Sequence, residues 1–127
     1  MNSFTIASMN QAILDEDTLR QLIMGHIIDI PFLSDLLQIF KRDAERLLAG
    51  IENSIVLEDR IGLQNGLHAL SGIAGNVSAK RLLSLCKEFN ATSSSGAVKA
   101  HMDEMFSVLK NGVSDTENSL REFIDTY

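Results

Sequence analysis

The chain has one proline, one cysteine and no tryptophan, and its aromatic residues are six phenylalanines and one tyrosine in 127 positions. With so little proline, almost nothing interrupts a long helix. No segment alternates apolar and polar residues with period two for long enough to define a strand. The lone Cys86 has no partner for an internal disulfide. Its neighbours Leu82, Leu83, Leu85 and Phe89 read as the surroundings of a thiol packed in the core in a reducing compartment, with no basic cluster to favour a thiolate. No apolar run approaches the roughly 20 residues that a membrane span needs. The first twelve residues lack the basic-then-apolar layout of a signal peptide, and a cytoplasmic location is expected.

Positive charge is also scarce. Eleven basic side chains stand against seventeen acidic ones, a net charge of −6, so the surface repels polyanions and DNA or RNA binding is not expected. No glycine-rich loop precedes a Lys-Ser/Thr pair, so the chain has no phosphate-cradling nucleotide site and no means of taking phosphate from ATP itself. His26, His68 and His101 share no helix and show no Glu-x-x-His pairing, so neither a metal site nor another cofactor is expected.

What is present is 45% apolar side chains, enough to fill one core in one domain. Residues 1–12 carry no charge and no sustained period, and read as a flexible leader or linker before a body at 13–127. Asp15 can cap a short first helix carrying Leu19, Leu22, Ile23 and Ile27, with Glu16 and Asp17 at its positive end. Pro31 suits the first turn of a second helix, whose apolar stripe runs through Phe32, Leu33, Leu36, Leu37, Phe40, Ala44, Leu47, Leu48, Ile51 and Ile55. A third helix begins near Glu58 or Asp59, with Leu63, Leu67, Leu70, Ala74 and Val77 as its seam. Ser78 can cap a fourth, with Leu82, Leu85, Cys86 and Phe89 inward, which ends in the Thr92–Gly96 stretch. A fifth spans Val98 to Ile124, with a weak point expected at Asn111-Gly112. The fold expected is all-α: an up-and-down four-helix bundle with a short accessory N-terminal helix, the long helices packed at about 20°.

The third helix holds the feature that points to chemistry. At about 100° per residue, His68 lies roughly 140° from the centre of the inner seam and faces solvent. Asn65, Ala69, Ser71, Gly72 and Gly75 share that outer face, all of them short. Gly62, Gly66, Gly72 and Gly75 would each weaken a helix interior by about 0.8 to 1 kcal/mol relative to Ala, against a whole-domain stability of about 5 to 15. Two explanations stand side by side. Gly72 and Gly75 clear space beside the imidazole for another protein and a phosphoryl group, or they let a neighbouring helix approach, with Gly75 ending the helix.

The stretch from His68 to Asn90, HALSGIAGNVSAKRLLSLCKEFN, resembles the histidine-containing phosphotransfer (HPt) domains of bacterial multistep phosphorelays. Their motif runs His, any residue, an aliphatic, Lys, Gly, small residues, an aliphatic, Gly, a small or apolar residue, and a Leu three further on. His68, Leu70, Gly72, Ala74, Val77, Ala79 and Leu82 fall in register without a gap, and Leu82, Leu85 and Cys86 reproduce a common continuation. A looser likeness in the order of elements covers residues 13 to 125. The resemblance implies a four-helix bundle with His68 as phosphoacceptor on the outer face of its second helix. It also implies that Asn90, on the facing helix, holds the Nδ1 proton and leaves Nε2 as nucleophile; capping that helix is the other role open to Asn90. Two positions depart from the motif. Ser71 replaces the Lys that neutralises the phosphoryl group, and Lys87 on the facing helix is the candidate substitute, the alternative being that it only solvates that face. Ser78 replaces the second Gly.

The function implied is a relay. A receiver domain of a hybrid sensor kinase loads His68, and the receiver of a response regulator unloads it, with Asn65, Ala69, Gly72 and Gly75 as docking floor on a monomer without autokinase activity. The alternative is a receiver- or kinase-binding module that acts as inhibitor or scaffold and never turns over phosphate.

Overall fold

Three aspartates open three of the helices. Asp15, Asp29 and Asp59 each turn a side-chain carboxylate back onto a backbone N–H of the first turn, those of Thr18, Phe32 and Gly62, satisfying donors that have no partner within the helix. The bond to Thr18 holds the Asp15 carboxyl below its ordinary value. The computed structural model describes residues 6–96 and 98–127. Its helices are α1 (Ile6–Met9), α2 (Glu16–Met24), α3 (Ile30–Val56), α4 (Arg60–Asn76), α5 (Lys80–Ser94) and α6 (Lys99–Thr126), and no strand occurs among the described residues. The chain is an all-α bundle in which α3, α4, α5 and α6 run up and down, with α4 seated between α3 and α5 and α6 closing the far side against both.

The core runs the length of these four helices. Leu33, Leu37, Phe40, Ala44, Ile51 and Ile55 from α3 meet Leu63, Leu67, Leu70 and Ala74 from α4. Leu82, Leu85, Cys86 and Phe89 come from α5, and Met105, Leu109, Val113, Leu120 and Phe123 from α6. Leu14 and Leu19 attach α2 to this core. Phe32 and Ile27, expected in the stripes, are exposed; Ile27 lies beyond the end of α2, whose C-cap is Gly25. The weak point expected at Asn111-Gly112 does not occur, because α6 is continuous through it. A Cβ on Gly112 would stand 3.0 Å from Leu85 Cδ1, so this glycine lets α5 and α6 approach.

The leader expected over 1–12 lies outside the described residues as far as residue 5. Beyond it Ser8 is buried and Met9 half-buried, while Asn10, Gln11 and Ala12 are exposed. α1 lies on α5, where the buried Ser8 hydroxyl bonds to Ser84 Oγ at 2.6 Å and to the Glu88 carboxylate. The Ala12 carbonyl accepts from the Arg81 backbone N–H, Gln11 accepts from Arg81 Nε, and the Asp15 N–H donates to the Ser78 carbonyl. This strap braces the turn between α4 and α5.

That turn also corrects the reading of Ser78, which does not cap α5. The N-cap is Ala79, without a side-chain bond, and Ser78 sits just past the end of α4 at φ 57°. The Ala79 N–H bonds to Ala74 O and the Ser78 N–H to Gly75 O, the six-residue closure in which the penultimate residue is left-handed and most often glycine. His26 and Glu58 hold the same place after α2 and α3, at φ 60° and 55°. For an L-residue this conformation costs roughly 1 to 2 kcal/mol, and a glycine there returns about 0.4 to 1 of the relief to the looser unfolded chain. Ser78→Gly is therefore expected to stabilise the domain by about 0.5 to 1 kcal/mol, read as a raised urea midpoint at unchanged slope.

Candidate functional site

The site is built on α4, whose sequence separates two faces. Leu63, Leu67, Leu70 and Ala74 are buried, and Val77 beyond its end is buried with them. On the opposite face Asn65, His68, Ala69, Gly72 and Gly75 are all exposed. Between Arg60 and Lys80 the chain has no carboxylate and no lysine or arginine, so His68 stands on an uncharged strip.

The four glycines of α4 divide into two pairs. A Cβ on Gly62 would collide with the capping Asp59 carboxylate and come within 2.7 Å of Ser54 Oγ, and one on Gly66 would come within 2.7 Å of Ile51 Cγ1. These two allow the cap to close and α3 to approach. A Cβ on Gly72 or Gly75 meets nothing within 4 Å, and α4 runs on through Asn76. Close packing does not account for this second pair; Gly75 lies one residue before the end of α4, where its carbonyl accepts from the Ser78 N–H in the closing turn, whereas Gly72 lies in the helix interior. Gly72→Ala and Gly75→Ala are each expected to raise stability by about 0.8 to 1 kcal/mol, whereas Gly66→Ala lowers it through overpacking by about 1 to 3; thermal melts of the three variants check the opposite signs.

Helix α5 runs antiparallel beside α4 and supplies the other wall of a recess of about 230 Å³ lined by Leu67, His68, Ser71, Cys86, Lys87 and Asn90. The four residues read from the sequence as the reacting group, His68, Ser71, Lys87 and Asn90, thus share one recess although 22 positions separate the first from the last. Lys87 and Asn90 are exposed at its rim. Cys86 is buried beneath it, and burial pushes its thiol up to about 12, so it serves as packing. Asn90 does not cap α5, which continues to Ser94 with Ser95 as C-cap.

The hydrogen bonds at the recess run largely to backbone carbonyls. Ser71 Oγ donates to the His68 carbonyl at 2.6 Å, a back-bond common for a helical serine. In this arrangement Ser71 turns its proton toward the backbone, away from the space beside the imidazole. Lys87 carries the positive charge among the lining residues. One contact was not anticipated from the sequence: Gln64 Nε2 donates to Ser94 Oγ at 2.9 Å, and Ser94 Oγ donates on to the Asn90 carbonyl at 3.0 Å. Its signal was present in the spacing, since Gln64 precedes His68 by one turn and Ser94 follows Asn90 by one turn.

The all-helical bundle thus presents a solvent-facing imidazole on its second long helix, in a recess that a lysine and an amide of the third also line. The family model for the Hpt domain matches residues 35–119, from the early turns of α3 into the last third of α6, and the chain belongs to that family of histidine-containing phosphotransfer domains, which work with receiver domains. No curated protein and no solved structure gives a significant match. No helix among the described residues is long and apolar enough to cross a membrane.

Proposed function

We propose that this chain is a phosphorelay intermediate in which His68 takes a phosphoryl group from the aspartyl phosphate of one receiver domain and passes it to the aspartate of another. In the loading step the Nε2 lone pair forms a bond to phosphorus, the P–O bond of the acyl phosphate breaks, and the aspartate leaves as carboxylate. Unloading is the reverse on a second receiver, with the divalent cation supplied by the receiver. Phosphoryl transfer of this kind needs positioning and charge stabilisation more than covalent machinery. Lys87 supplies the charge in place of the family's lysine, and the Asn90 side-chain oxygen accepts a hydrogen bond from Nδ1–H, which leaves Nε2 free. Asn65, Ala69, Gly72 and Gly75 form the floor on which the receiver sits.

The observation that carries this reading is the pairing of an exposed imidazole with two glycines beside which the chain leaves open space. The donor is a receiver of a hybrid sensor kinase, the acceptor that of a response regulator, and the module works as a monomer in the cytoplasm. Incubation with a panel of labelled phospho-receivers is expected to transfer label to wild type and none to His68→Gln. Lys87→Ala should slow loading by about tenfold or more, the worth of one charge-assisted contact of about 1.5 to 3 kcal/mol. Equal labelling of wild type and His68→Gln would overturn the proposal.

A second reading is favoured by Ser71, whose hydroxyl faces the backbone and brings no charge where the family has lysine. On that reading the same face docks a receiver or kinase and holds it as an inhibitor or scaffold, without turnover. Acid-labile, base-stable phosphate on the wild-type chain excludes this second reading.

A further inference from the structure

Helices α4 and α5 pair in a fixed antiparallel register, visible as successive rungs along the recess. Gln64 stands opposite Ser94, joined by a hydrogen bond. Counting on from that contact in antiparallel register sets His68 opposite Asn90 one turn along and Ser71 opposite Lys87 at the next, and these four line one recess. The spacings of four and then three residues on each helix are those of side chains stacked on one helical face. The first rung is thus tied to the second through both helices: Gln64 lies one turn from His68 in α4, and the Ser94 hydroxyl both accepts from Gln64 and donates to the carbonyl of Asn90.

We infer that the Gln64–Ser94 bridge is a positioning pair for phosphotransfer, holding the α5 wall at the separation from α4 at which Asn90 and Lys87 serve the His68 ring. The inference rests on His68 being the phosphoacceptor and adds to it two residues that touch neither phosphoryl group nor partner. Ser94 is suited to the task because one hydroxyl engages α4 and α5 together. An exposed bridge of this kind adds little to global stability, since a single net hydrogen bond is modest in water. Its effect falls on local geometry, where a small misplacement of a reacting group slows the chemistry disproportionately.

The test uses the full chain and phosphoramidate, a small donor that needs no partner: the Nε2 lone pair bonds to phosphorus as the P–N bond of phosphoramidate breaks and ammonia leaves. Gln64→Met keeps the stem and helix propensity without the donor, Ser94→Ala removes the hydroxyl, and Ser94→Thr retains it. The expected result is that Gln64→Met and Ser94→Ala each slow His68 phosphorylation by about threefold to tenfold, the rate equivalent of one net hydrogen bond. The double variant should be no slower than either single one, and Ser94→Thr should react as wild type. Nitrogen-15 spectra of the imidazole should show the Nδ1–H tautomer depleted in the two slow variants, a change that loss of global stability alone would not produce. Unchanged rates and tautomer, or losses that multiply in the double variant, would overturn the inference and leave the phosphoacceptor role intact. A wild-type chain that phosphoramidate does not label at His68 would overturn that role as well.

Discussion

The site depends on how α4 is held. A helix seated between two neighbours buries one stripe and shows its reverse to solvent, and in α4 the buried stripe is narrow because Leu63, Leu67, Leu70 and Ala74 recur every three or four residues. The opposite side is thereby committed to water over its whole length, and any side chain placed there is presented rather than packed. His68 is presented in this way, and α5, pressed against one flank of α4, brings Lys87 and Asn90 alongside it without loops or lids.

The glycines show how two demands on one helix are separated along it. In the first half, Gly62 and Gly66 serve the bundle, making room for the Asp59 cap and for Ile51 of α3. In the second half, Gly72 and Gly75 make no close contact that a Cβ would obstruct, yet together they lower helix stability by about 2 kcal/mol out of a typical 5 to 15. The left-handed Ser78 adds a further burden, and the N-terminal strap offsets it by tying Ser78, Arg81, Ser84 and Glu88 to residues 8–15. On the proposed reading, this cost on the exposed face beside His68 keeps the surface bare for a receiver's backbone.

Much of this was legible in the sequence. The apolar period placed all four long helices, and Asp15, Pro31 and the Glu58-Asp59 pair marked the starts of α2, α3 and α4 within a residue or two. Exposure of His68 followed from its angle to the leucine seam, and the resemblance of the stretch from His68 to Asn90 to HPt domains brought both walls of the recess into view. What the sequence did not disclose lies in tertiary context. Residues 6–12 have no charge and no period, yet Ser8 is buried because a serine and a glutamate of α5 receive its hydroxyl. Ser78 has the composition of a cap but the place of a left-handed closing residue, which only its backbone reveals. Gly112 looks like a breaker and is a contact. Gln64 and Ser94 are ordinary polar residues until the register of α4 against α5 sets them opposite each other.

The central claim is that the bare half of α4 exists to admit a receiver domain to His68. Gly75→Leu separates access from chemistry, since it adds bulk where the chain itself has open space, about two helical turns from His68. The account predicts a variant that folds, reacts with phosphoramidate at His68 as fast as wild type, and no longer takes phosphate from a phospho-receiver. Receiver-dependent labelling at the wild-type rate would contradict it.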